Sequence, residues 1–227
     1  MTMKLCVFLL VVLLGFSCKK NTAAGTSADE EASATQTGDR ELELYMNELA
    51  AEHAWDFEDA VGWLLDHPEK SHPVLEKLVR EGKFSQKTLG AIFVIGKMGK
   101  DEDVALLEKV MVSGDPDLTW DSAQALGNHP SKLALESLVK ALENKNVEVV
   151  GAAAVALGSR KDEAARKPIE DLLDHESEQV RYRAVFALKL MGASPSADTL
   201  KEHHKKETSA EVRKSIEDLL NVETINP

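Results

Sequence analysis

Ser122-Ala-Gln-Ala-Leu-Gly127 returns 31 residues later as Ala153-Ala-Val-Ala-Leu-Gly158, and 31 later again as Ala184-Val-Phe-Ala-Leu-Lys189. One step upstream stands Ala91-Ile-Phe-Val-Ile-Gly96, and Ile216-Glu-Asp-Leu-Leu-Asn221 follows at an interval of 32. A second apolar series, Leu107, Leu138, Ile169 and Leu200, keeps the 31-residue step. Two independent series with one period identify a structural repeat.

Each unit reads as two helices. Between Ala164 and Asp174, the apolar residues Ile169, Leu172 and Leu173 fall at helical spacing, and His175-Glu-Ser-Glu178 makes a turn. From Gln179 to Met191, Val180, Ala184, Ala187, Leu188 and Met191 share one face. Small residues (Ala123, Ala153, Ala184, Ala187) allow close helix approach. Gly99, Gly127, Gly158 and Gly192 are expected at helix ends. Upstream, residues 41–53 and 57–65 look like one further pair. The expectation is an all-α fold, an α-solenoid of about six antiparallel helix pairs. Its repeats are placed at about 40–68, 69–99, 100–130, 131–161, 162–192 and 193–223. The last pair carries Glu202, His203, His204, Lys205 and Lys206 where inner units are apolar, which marks a solvated cap.

The pattern Val180-Arg181-x-x-Ala184-x-x-Ala187-Leu188, echoed at Val212-Arg213-x-x-Ile216-x-x-Leu219-Leu220, resembles HEAT repeats. It is most similar to the short units of phycobiliprotein bilin lyases, and the resemblance covers about residues 70–221. It implies a superhelix of helix pairs. Deoxyhypusine hydroxylase is built of similar units and holds two irons with His-Glu dipeptides before the second-helix alanine. The corresponding positions here are Leu89-Gly90, Trp120-Asp121, Gly151-Ala152 and Tyr182-Arg183. The His-Glu at His175-Glu176 lies in a turn. The reading is therefore a non-enzyme with no catalytic residue, metal or cofactor. An iron-dependent oxidoreductase or a bilin lyase relative is the alternative. Pairs such as Glu170-Asp171 and the run Asp101-Glu102-Asp103 are read as helix-start charges on exposed faces.

Composition narrows the class further. The 227 residues hold 43% hydrophobic and only 5% aromatic side chains, with 39 acids against 27 Lys and Arg. A net charge of −12 disfavours phosphate backbones, so no nucleic-acid partner is expected. The two cysteines, Cys6 and Cys18, lie near the start. The repeats thus have no disulfide and no thiolate metal site.

Lys4 precedes an apolar run from Leu5 to Ser17, the length of a secretory signal core. The sequence Leu14-Gly-Phe-Ser-Cys18, followed by Lys19, resembles a bacterial lipoprotein signal. That resemblance implies a signal peptide at 1–17 and acylation of Cys18. It also implies membrane attachment through those chains, in the cell envelope, with Lys19 pointing to an outer-membrane lipoprotein facing the periplasm or the surface. Residues 18–39 lack large apolar side chains after the cysteine and read as a flexible tether.

Solenoids bind along the ridge of their second helices. With Val180 and Ala184 on the core face, Tyr182 and Phe186 point to the inner surface. Stepping back by 31 residues gives the row Leu89, Phe93, Trp120, Gln124, Val155, Tyr182 and Phe186. Arg181 and Arg183 add possible carboxylate contacts. The expected function is a lipid-anchored scaffold or adaptor that binds a protein or peptide on this row.

Overall fold

The computed structural model describes residues 39–50, 54–192 and 194–225. The expected signal peptide (1–17), Cys18 and nearly all of the expected tether (18–39) lie outside the described residues. The packing described below belongs to the compact unit that begins at Arg40.

Among the described residues twelve helices and no strand occur. The helices are α1 (39–48), α2 (Ala54–Asp66), α3 (Pro68–Glu81), α4 (Gln86–Met98), α5 (Val104–Met111) and α6 (Pro116–Asn128). They continue as α7 (Lys132–Ala141), α8 (Val147–Arg160), α9 (Arg166–Asp171), α10 (Glu178–Met191), α11 (Ala197–Lys206) and α12 (Ala210–Ile225). They form six pairs. Even-numbered helices pack on one another from α4 through α12 and make one layer, while α3, α5 and α7 stack in the other. The architecture is an all-α solenoid.

Local chemistry starts the second helices of three units. Ser85, Asp115 and Asn146 accept hydrogen bonds from the first free amides of α4, α6 and α8. Those groups would otherwise lack partners. Pro116 sits in the first turn of α6, where its missing N–H costs nothing. One continuous core runs through the stack, with Ile92, Leu107, Leu126, Leu138, Leu157, Ile169 and Leu188 fully buried.

Two of the four glycines have another role than the one expected. Gly99 and Gly192 do terminate α4 and α10, with φ of 67° and 90°. Gly127 and Gly158 instead lie inside α6 and α8. A Cβ at Gly158 would come within 2.7 Å of the Ala187 backbone, and one at Gly127 within 3.0 Å of the Ala156 carbonyl. Gly96 meets Ala125 in the same way, at 2.7 Å. These glycines are the points where successive second helices cross. They are fixed by backbone approach rather than by helix termination.

The acidic run at α5 also differs from expectation. Asp103 is buried, and His72 Nε2 donates to its two carboxylate oxygens at 2.8 and 3.0 Å. His72 and Asp103 occupy the same register position, followed 31 residues on by Ala134 and then Ala165. A polar pair thus replaces the small apolar residues of later units. His203, expected on a solvated cap, is also turned inward. Burial pulls its imidazole below the ordinary value against the opposing pull of Asp174, 3.5 Å away.

Candidate binding surface

The row drawn from the sequence follows one ridge. Leu89, Phe93, Trp120, Val155 and Tyr182 are half-buried, while Gln124 and Phe186 are exposed. Phe186 has 39% of its surface in solvent. At the start of the ridge, Phe93 tilts against Phe57 of α2 with ring centroids 5.8 Å apart. Lys97 Nζ lies over that ring, 5.3 Å from its centroid. This end is therefore largely covered by the chain itself.

In the middle, the arrangement spans three units. Trp120 of α6, Gly151 of α8 and Tyr182 of α10 share one register position. Because Gly151 has no side chain, Arg183 can lie across it; a Cβ there would be 3.3 Å from Arg183 Cγ. The guanidinium reaches over Gly151 to the Trp120 ring, 4.7 Å from its centroid. A planar cation on an indole is a favourable electrostatic contact. Trp120 Nε1 donates to Glu148 at 3.3 Å, and Gln179 Nε2 donates to the other oxygen of that carboxylate at 3.0 Å. Asp121 stands beside Trp120 in α6. Its half-burial, with the charge of Asp117 adding to the effect, raises its carboxyl above the ordinary value.

Arg181 behaves differently from its neighbour. It forms a two-pronged pair with Glu207, both contacts 2.8 Å, and donates to the carbonyls of His175 and Glu176 at 3.0 Å. The side chains are only 14% and 5% exposed. Arg181 is therefore an internal tie between the fifth and sixth pairs, and its donors are committed within the chain. The Arg181 contact holds the Glu207 carboxyl down to about 2. Sequence spacing could not show this, since the partner sits in the following inter-helix turn.

Past α10 the ridge opens into two adjoining depressions. Glu178, Gln179, Tyr182, Arg183 and Glu211 line the first. The second lies between α10 and α12, around Phe186, Val185, Lys189, Lys214 and Leu219. Tyr182 and Glu211 belong to both. Among the described residues, no group of three or more His, Cys, Asp or Glu side chains is placed to hold a metal ion.

A family profile described as HEAT repeats matches residues 135–221. No curated protein matches the sequence. Three solved structures are similar. The CpcE–CpcF complex of phycocyanin lyase from Nostoc sp. PCC7120 is 18% identical, covering 88% of this chain and 77% of that one, with a TM-score of 0.42. A designed armadillo repeat protein in complex with the peptide (KR)4 is 19% identical, covering 78% and 97%, with a TM-score of 0.43. Human deoxyhypusine hydroxylase is 13% identical, covering 85% and 99%, with a TM-score of 0.42. None of the three carries a functional conclusion to this chain. The profile match runs from α7 into α12 and covers less than half of the chain.

Proposed function

We propose that the protein is a non-enzymatic scaffold that binds a protein or peptide along the inner ridge, chiefly between Trp120 and Phe186. The observation that carries this reading is the row of half-exposed apolar and aromatic side chains ending in the open depressions around Tyr182 and Phe186. Aromatic anchors in concave surfaces supply most of the energy of such interfaces. Arg181 is excluded from the contact set because its donors are taken. Leu89 and Phe93 are secondary, since Phe57 shields that end. The anchor in the envelope is the second half of the proposal. It rests on the sequence around Cys18 alone, through its resemblance to lipoprotein signals.

A photoreactive amino acid placed at 155 or 186 in cells should crosslink a defined partner. The same probe at Lys109 or Lys140, on the first helices, should not. Equal crosslinking from both layers would reject the ridge. Incorporation of labelled fatty acid into the full chain, and its loss in Cys18→Ala, tests the anchor. An unlabelled parent protein would reject it.

A further inference from the structure

We infer that the depression at Tyr182 receives a cationic side chain, arginine or lysine, of an extended peptide whose following apolar residue rests on Phe186. This rests on the ridge being a binding surface and adds the chemistry of the partner.

The argument begins with the shared register of Trp120 and Tyr182. At Trp120 the aromatic ring already holds a guanidinium, supplied by Arg183, with Glu148 hydrogen-bonded to the indole edge. At Tyr182, among the described residues, no cation lies over the ring. The nearby Arg183 is turned to Trp120, and the Gln179 amide is turned to Glu148. With those two turned away, what remains of the first depression is acidic, while Lys189 and Lys214 border Tyr182 only in the second. Glu178 comes from one turn earlier on α10, and Glu211 comes from the first turn of α12. Glu178 is exposed and accepts one hydrogen bond from Ser209 at 2.6 Å. Glu211 is exposed and has no ion-pair partner among the described residues. An aromatic face between two carboxylates attracts a cation through both the ring quadrupole and the charges.

The order of residues along α10 gives the occupant a direction. Glu178, Tyr182 and Phe186 follow at steps of four, about 6 Å apart along the axis, and Lys189 completes the face. Lys189 and Lys214 line the second depression with Phe186, Val185 and Leu219. There Lys189 and Lys214 are matched by Glu211 and Asp218, so no excess of negative charge draws a second cation. The apolar floor takes an aliphatic or aromatic side chain instead. The complementary segment is therefore a basic residue followed at short distance by an apolar one.

The test uses two peptides, acetylated and amidated, differing only in a leading Arg or Glu before Ala-Leu. They are titrated into the full helical unit and followed by NMR shifts of α10 and α12. The Arg peptide should bind with shifts centred on Tyr182 and Phe186. Glu178→Gln with Glu211→Gln should weaken it at least tenfold, while Glu143→Gln on the outer layer leaves it unchanged. All three substitutions replace exposed carboxylates, so thermal midpoints of both variants should match the parent and separate binding from folding. Equal or tighter binding of the Glu peptide would overturn the inference, as would unchanged binding by the double variant. If crosslinks from position 186 trap a partner but the Arg peptide fails to bind, the cation site falls and the ridge stands. If neither occurs, both fall.

Discussion

The α8–α10 junction and the α10–α12 junction use the same register in opposite ways. At the first, Gly158 of α8 receives the backbone of Ala187, so close that a Cβ there would lie 2.7 Å from it. At the second, the glycine position on α10 is occupied by Lys189, and a depression opens beside it. The tight junction is held by close contact along its length. The loose one is held at one end, by Arg181 and Glu207, and leaves apolar surface uncovered at the other. Withholding the packing residue at one joint thus leaves an open depression between successive second helices.

The largest expected effect comes from breaking the tie at the loose joint. Arg181→Ala leaves the almost fully buried Glu207 carboxylate without its counter-ion and should cost about 3–5 kcal/mol by chemical denaturation. Amide exchange in α12 should rise most. A loss below about 1 kcal/mol would mean that the pair contributes little.

At the tight joint, Gly158→Ala puts a Cβ 2.7 Å from backbone atoms of Ala187. Overpacking against backbone should cost about 1–3 kcal/mol. Lys189→Gly, the reverse change at the loose joint, gains no close neighbour. It should cost only about 1 kcal/mol in helix propensity. Equal effects at the two sites would erase the distinction between the joints.

Acid should act on the loose joint first. Glu207 titrates near about 2 in the folded chain against 4.5 for a free glutamate, so its contribution is complete above about 4.5 and is lost as pH falls toward 2. His203, at the same joint, has a folded value below its free value of 6.5. Its protonation therefore opposes folding as pH falls below 6.5. Hydrogen exchange corrected for intrinsic rates should show α11 and α12 opening at higher pH than α6 and α8. Simultaneous loss across all pairs would contradict this order.

The smallest effect concerns Ser122, whose hydroxyl is buried at the α6 position equivalent to Ala153 and has no hydrogen-bond partner among the described residues. Ser122→Ala should raise stability by about 1 kcal/mol, seen as a higher melting temperature. A loss would indicate a partner for that hydroxyl.

Much of this architecture was legible because Ala, Leu and Ile recur at fixed steps, and burial enforces that recurrence. The row follows the same period, but Leu89, Phe93, Trp120 and Tyr182 also pack partly against the core, which spacing alone does not show. Gly127 and Gly158 differ from the expectation because a glycine late in an apolar run fits two demands. Only the position of Ala156 or Ala187 on the next helix tells helix end from crossing point. Arg181 was misassigned because its partner lies 26 residues ahead, in a turn with no periodic signal. The His72–Asp103 contact was within reach of sequence reasoning. Two polar residues exactly one period apart, at a position later held by alanine, mark a pair facing each other inside the stack.

The reach of Arg183 over Gly151 to Trp120 bears on how the array comes apart. A linear array coupled only between adjacent units behaves as a one-dimensional chain of nearest-neighbour terms. Here the third and fifth pairs also touch directly, so the fourth cannot melt without breaking a bond it does not own. Under mechanical extension these three pairs should release as one step, and excising residues 131–161 would shorten the span that Arg183 is built to bridge.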